Sequence, residues 1–352
     1  MRRPRLLAAA VAGGLLLLPV AAGAEDEPGS AFDSYQLLAN APGIGLDGLY
    51  RDVAFTVPEV TSSLRTGAVG AGLASLAWPG PVIGNGGSTL LVLSPQLPPE
   101  TVMLNSPVRA EARTGGTEKA ANNAVPGTVM AATAKPDQVT ADASFDQTGL
   151  PVGSVGAMTS ASKVALQGAG KAVATSRTTA QDVSLAGGVI TLGSVTSTAS
   201  ATSDGVKGVG TGGTTVSGME VAGVPVTVDG HGIHVQGQTV PNPLPAQTVD
   251  DAIKALGLEA TVTQPRTVTS GGGVTYQAGA LVLVYTSGGD QYSLTFGRAS
   301  ASIAAVRGSG SGADEAVGDA PAATDVPAVL PRTDTGGAPP VSGGGGAAAP
   351  EV

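Results

Sequence analysis

Between residues 151 and 236 the chain alternates small apolar side chains with hydroxyls and breaks the alternation with turn residues. Successive side chains of a strand point to opposite faces, so alternate positions share a face. In 189–203 (VITLGSVTSTASATS), Thr196, Thr198, Ser200 and Thr202 make a polar face. Val195, Ala199 and Ala201 make a small apolar face, broken by Ser197. β-Branched side chains are stiff at χ1 and suit a pleated surface. Asp204-Gly205 then supplies a turn. A second unit repeats the logic: Val224, Val226 and Val228 share one face, Pro225 and Thr227 the other, Asp229-Gly230-His231-Gly232 turns, and 233–235 returns as a partner. Runs 162–166 and 171–185 have similar composition and are set apart by Gly168, Gly170, Gly187 and Gly188. Short strands between regular turns predict a sheet, sandwich or barrel. A β-solenoid is the rival, but no clean repeat length supports it.

The flanking pattern is more varied. Phe32, Tyr35, Leu37 and Leu38 open a β-rich region over 25–127. Residues 52–57 (DVAFTV) read as a strand ended by Pro58, and 68–78 as a small apolar run closed by the reversal Trp78-Pro79-Gly80-Pro81. Residues 88–93 are apolar, 94–100 Pro-rich, and 111–127 (EARTGGTEKAANNAVPG) polar, as in an exposed loop. The main β region spans 128–306. After a Pro-rich linker at 241–245 it contains a helix at 248–256. Thr248 is placed to cap that helix, Asp250 and Asp251 to complement its N-terminal dipole, and Val249, Ile253 and Leu256 to form its apolar face. Gly257 is a natural stop. Residues 280–286 (ALVLVYT) are apolar at nearly every position, as in a strand covered on both faces, and Tyr292, Leu294 and Phe296 alternate in its hairpin partner. The fold class expected is mainly β (α+β): an antiparallel sheet or sandwich with one packed C-terminal helix and a disordered C-terminal tail over 307–352.

Residues 1–24 have the form of a secretory signal peptide: Arg2, Arg3 and Arg5, an apolar stretch at 6–18, and Ala22-Gly23-Ala24 before the cleavage point. Arg2-Arg3 leaves the export route open between the general and twin-arginine pathways. The chain contains no cysteine, which excludes disulfides, thiol nucleophiles, thiolate metal sites and a lipid-modified cysteine anchor. Its net charge is −9, and the leader carries three arginines and no acid, so the mature chain stands at −12. An acidic chain without basic clusters is not expected to bind nucleic acid or anionic lipid.

The segments YQLLANAPG, GLASLAWPGPVIGN, LNSPVRAEAR, PGTVMAATAKPDQVTADASF, DVSLAGGVITLGSVTSTASATSDG and TTVSGMEVAGVPVTVDGHGIHV lie within 32–235. Together they resemble a family of uncharacterised secreted, envelope-associated proteins of actinobacteria. The resemblance implies export and envelope association. It brings no activity and no catalytic residues.

Candidate chemistry is sparse. His231 and His234, the two histidines, fall on opposite faces of an ideal strand and read as turn and surface residues rather than metal ligands. Ser160-Ala161-Ser162-Lys163 matches S-x-x-K, the pattern of penicillin-recognising serine enzymes, without the companion S-D-N and K-T-G motifs. Asp250-Asp251 is a carboxylate pair that helix capping explains, and Trp78 before Pro-Gly reads as a packing anchor rather than a sugar-stacking platform. Leu330-Pro331-Arg332-Thr333 resembles the start of a sortase signal, but Asp334 replaces the glycine and no apolar span follows. No catalytic, cofactor-binding or metal site is therefore assigned, and no cofactor is expected. The expected function is a non-enzymatic secreted or cell-surface structural or interaction protein with an envelope component or protein as partner. The alternative is a binder of an apolar ligand such as a lipid, held between sheet and helix.

Overall fold

The computed structural model describes residues 29–50, 53–77, 108–150, 153–168, 170–235, 246–287 and 290–308. The predicted signal peptide, Trp78 with its reversal, the runs at 88–93 and 94–100, the predicted linker at 241–245 and the predicted tail from 309 onward lie outside these residues. From the N-terminus come β1 (Phe32–Asn40), β2 (Ile44–Tyr50), β3 (Val53–Val57), β4 (Glu59–Arg65), β5 (Val69–Ser75) and β6 (Arg109–Arg113). There follow β7 (Lys119–Asn122), β8 (Thr128–Ala134), β9 (Gln138–Leu150), β10 (Gly153–Gln167), β11 (Lys171–Leu185), β12 (Ile190–Ser203), β13 (Gly208–Ser217), β14 (Glu220–Val221), β15 (Val224–Asp229) and β16 (Gly232–Val235). Helix α1 (Ala246–Leu256) precedes β17 (Glu259–Val262), β18 (Arg266–Ser270), β19 (Gly273–Gln277), β20 (Ala280–Ser287), β21 (Asp290–Gly297) and β22 (Ser300–Arg307).

The fold is mainly antiparallel β, in three open sheets. A ten-stranded sheet runs β16-β15-β14-β12-β11-β10-β9-β8-β7, with β13 also paired to β12. Facing it are a seven-stranded sheet, β18-β19-β22-β1-β4-β5-β6, and a five-stranded sheet, β17-β20-β21-β2-β3. Strands from 25–127 and from 128–306 join side by side in the seven- and five-stranded sheets, and in the ten-stranded sheet only the edge strand β7 comes from 25–127. The polar run 111–127 is not one exposed loop: its first residues complete β6 and residues 119–122 form β7, paired with β8.

Two of these sheets are one set of strands bent in the middle. β1 continues into β2, β3 into β4, β17 into β18, β19 into β20 and β21 into β22, and the two sheets list these partners in matching order. The opposing wall is continuous, because β9 to β12 run 13 to 15 residues without a sheet change. Each long strand therefore serves two cores. Val164, Leu166, Ala172, Ala174, Ala199 and Ala201 pack in the first, under the seven-stranded sheet. Met158, Ala180, Val183, Leu192 and Val195 pack in the second, under the five-stranded sheet, with Phe145, Phe296, Tyr285 and Leu281.

Between the two cores, the inward face of the long strands turns polar. Ser160, Ser162, Ser176, Thr178 and Ser197 are all buried. Buried hydroxyls need partners, and the bends opposite provide them. Ser176 Oγ donates to the Ser300 carbonyl at 2.9 Å. The Ala299 N–H donates to Ser197 Oγ at 3.2 Å, Ser197 Oγ lies 2.9 Å from Thr214 Oγ1, and Thr214 donates to the Gly279 carbonyl at 2.6 Å. Ser62 and Ser162 bond across the sheets at 2.8 Å, and Ser160 and Thr178 within one sheet at 2.9 Å. The serine that interrupts the apolar face of 189–203 is thus a bridge to the opposite wall.

A second transverse line crosses the ten-stranded sheet. At one level the pairing skips Gln147 in β9, Gly156 in β10, Asp182 in β11 and Gly193 in β12. Gly193 N–H reaches the Gly218 carbonyl at 2.9 Å instead. Gln147 and Asp182 adopt left-handed φ of 43° and 52°. A β-carbon on Gly156 would come within 2.7 Å of the Asp182 β-carbon. One extra residue flips every later side chain to the other face. Placing the break in each strand at the same level keeps both ends facing inward: Leu192 and Ile190 on one side of Gly193, Val195 on the other.

Two local expectations change. Helix α1 begins at Ala246, so Thr248 is its third residue rather than its cap, and Asp250 and Asp251 fall beyond its first turn. Ala252, Ile253 and Leu256 do pack on the second core, and Gly257 ends the helix at φ 53°. In β20, Leu281, Leu283 and Tyr285 are buried while Val282 and Val284 are half-buried, so the strand is fully covered on one face only.

Ser197→Ala is expected to lower unfolding stability by about 1–3 kcal/mol, because the Ala299 N–H is left buried without its acceptor. Thr202→Ala, on the outer face of the same strand, is expected to change it by less than about 0.5 kcal/mol. Urea unfolding of the two variants measures the difference; equal effects would remove the bridging role.

Candidate functional site

The fold disperses most of the residues singled out from sequence. Ser160 points inward, 2% exposed and bonded to Thr178, while Lys163 stands exposed on the opposite face of β10. A nucleophile and its base must lie within hydrogen-bond reach, and a separation of three along a straight strand prevents it. Asp251 is exposed on α1. Trp78 and the segment from Leu330 lie outside the described residues.

The histidines lie where the sequence places them: His231 in the turn between β15 and β16, and His234 exposed on β16. The hairpin closes with Asp229 opposite Gly232 and His234 opposite Thr227. Asp229 Oδ1 accepts the His231 backbone N–H at 2.6 Å and lies 3.0 Å from His234 Nε2 and 3.5 Å from His231 Nδ1. The backbone donor first, and the His234 ring second, hold the Asp229 carboxyl below its ordinary range. All three side chains are more than half exposed. One carboxylate oxygen gathers the donors, and the described residues contain no set of three or more His, Asp or Glu side chains arranged to hold a metal ion.

A shallow open groove follows the transverse line of breaks, lined by Asp182, Leu192, Gly193, Gly218 and Glu220. Asp182 and Glu220 are both exposed there. Left-handed φ at Asp182, Ala186 and Ala222 concentrates backbone strain beside it. The coordinated breaks of the sheet account for the strain at Asp182.

One buried ionisable group went unrecognised in the sequence. Glu59 opens β4 immediately after Pro58, opposite Ser75 of β5, and is only 8% exposed. Burial pushes its carboxyl up to about 7, against a smaller opposing effect of the hydrogen bond from Asn40. Asn40 Oδ1 is itself buried without a partner. Two polar residues flanking the Ala-Pro-Gly and Val-Pro bends were the available signal, but neither has a pattern that marks burial. Tyr285 is also raised, to about 12, by burial and by Tyr292 across the hairpin.

No family model and no curated protein matches the chain. Among solved structures, the crystal structure of Pseudomonas aeruginosa OccK9 (OpdG) aligns over 79% of this chain and 100% of its own at 10% identity, with a TM-score of 0.16. Similarity at that level carries no argument about fold or function. No helix among the described residues is long and apolar enough to cross a membrane.

Glu59 makes stability depend on pH. Below about pH 4.5 both folded and unfolded states hold the proton and nothing is lost. As pH rises toward 7 the unfolded state ionises first, so stability falls, and above 7 the loss levels at about 3 kcal/mol. Glu59→Gln is expected to match the parent near pH 4.5 and to exceed it at pH 8. Denaturant unfolding across that range tests this; an unchanged slope in the variant would assign the pH dependence to other groups.

Proposed function

We propose that the protein works without catalysis, as an exported structural or interaction protein retained at the cell envelope. The observation that carries this reading is the commitment of the buried hydroxyls. The interior serines and threonines of the long strands bond to one another or to backbone carbonyls and N–H groups of the opposite wall. They are held as structural donors and acceptors, and none is paired with a histidine, lysine or carboxylate that would activate it. The leader with its Ala-Gly-Ala cleavage point supports export, and the resemblance to envelope-associated secreted proteins supports retention.

Fractionation of producing cells is the direct test. The mature chain, beginning near Glu25, is expected in the envelope fraction and the medium, with the leader removed. Recovery of the intact leader-bearing chain in the cytoplasm would overturn the localisation. A panel of ester, peptide and glycoside substrates is expected to give no turnover above solvent background. Turnover abolished by one point substitution would overturn the non-catalytic reading.

A further inference from the structure

The sandwich around the first core is sealed at one side and open at the other. At the sealed side β6 leads through a tight turn into β7, carrying the chain from one sheet to the other, and Asn122 Nδ2 donates back to the Arg109 carbonyl at 3.1 Å. At the open side β13 and β18 are stacked as the last described strands of their sheets: among the described residues β13 pairs only with β12, and β18 only with β19. The turns at their ends touch, with Ser203 Oγ donating to the Gly272 carbonyl at 2.5 Å.

Edge strands present a row of unpaired backbone N–H and C=O groups, and proteins blunt them with charge, proline, bulges or cover. β13 is ten residues long, GVGTGGTTVS, with no charge and no proline. β18, RTVTS, is exposed at every position and carries one charge, at its first residue. The two outer strands of the ten-stranded sheet carry such devices: β7 opens with Lys119, and β16 carries His234 against Asp229. The glycines of β13 have an inward cause. A β-carbon on Gly208 would come within 2.7 Å of Val274, and one on Gly210 within 2.8 Å of Tyr276. Close approach of β19 thus leaves the inward positions 208, 210 and 212 of this strand without side chains, and no described strand covers its outer edge. The acidic surplus of the chain places no carboxylate on either strand.

We propose that β13 and β18 form a self-association surface on which a second copy of this chain adds the same two strands, antiparallel, about a two-fold axis normal to the sheets. The interface is isologous. One axis pairs β13 with its counterpart and β18 with its own, so both sheets run unbroken through the dimer. The surface is self-complementary because each edge offers backbone donors and acceptors in alternation and no opposed charge.

The test is a sedimentation-velocity concentration series on the chain from Glu25 onward, with two double variants. Thr211 and Thr215 are exposed on the face of β13 turned away from the core. Thr211→Lys with Thr215→Lys sets like charges opposite one another across the two-fold, and Thr211→Glu with Thr215→Glu does the same with the other sign. The parent is expected to dimerise reversibly. Each double variant, folded by circular dichroism, is expected to dimerise at least about tenfold more weakly, and an equimolar mixture of the two to recover a heterodimer. A parent that stays monomeric at high micromolar concentration, a dimer indifferent to both variants, or a mixture that fails to re-associate would overturn the proposal.

Discussion

A backbone N–H or C=O taken out of water must find another partner, and this fold creates many such groups at one level. Five strand pairs of one wall bend together from the seven-stranded into the five-stranded sheet. A bend interrupts the ladder, and four of these five bends hold a buried residue facing another sheet, while the bend at 263–265 is exposed. Some of the freed groups bond across neighbouring bends, as Gly43 N–H does to the Pro58 carbonyl at 2.8 Å and Gly297 N–H to the Gly43 carbonyl at 3.1 Å. Others are met by hydroxyls from the continuous wall. Ser197 and Thr214 stand where a purely apolar face would leave the Ala299 N–H and the Gly279 carbonyl without these partners, and Ser176 adds a bond to the Ser300 carbonyl. The belt of small hydroxyls is what allows one long sheet to close against two short ones.

The same requirement gives the abundant serine and threonine a meaning. In a chain with few ionisable groups, a reader searches hydroxyls for nucleophiles. Here the buried ones complete the backbone pairing, and Ser160, which heads the S-x-x-K pattern, bonds to Thr178 as one of them. The outward threonines of the long strands alternate with them and serve the pleated outer face, where Thr179 and Thr196 approach to 3.3 Å across adjacent strands. Position along the strand, set by a period of two, separates these roles.

Much of the architecture could be read from residue order. The alternation in 189–203, the hairpin at Asp229 to Gly232 and the apolar face of α1 all rest on local periodicity, and local periodicity survives folding. The interruption at Ser197 was visible too, but its reason was not, since Ala299 and Thr214 are distant in sequence or hidden in another strand. The change of parity at Gly193 is equally local: Ile190 and Leu192 are even, Val195 odd. Its sense appears only when Gln147, Gly156 and Asp182 are aligned beside it, which needs the pairing registers. Glu59 was illegible for the opposite reason, because a lone acid after Pro58 reads as a turn residue and its burial depends on long-range packing. The helix start was misjudged because Thr248 and the two aspartates make a plausible capping pattern two residues too late.

A chain without cysteine has no covalent staple, and its first core is made largely of alanine and valine, which contribute little burial free energy each. Length compensates. Four strands of 13 to 15 residues multiply backbone bonds and small contacts until thin layers suffice. Long strands also make long edges, and an open sandwich cannot remove its edges as a barrel does. The chain closes one side by running β6 into β7, and it lines the inner face of β13 with glycine so that β19 can lie close above. Tight packing at that side is therefore bought with an edge that carries few side chains to shield it. The feature that stabilises the interior and the feature that exposes a pairing surface are the same glycines.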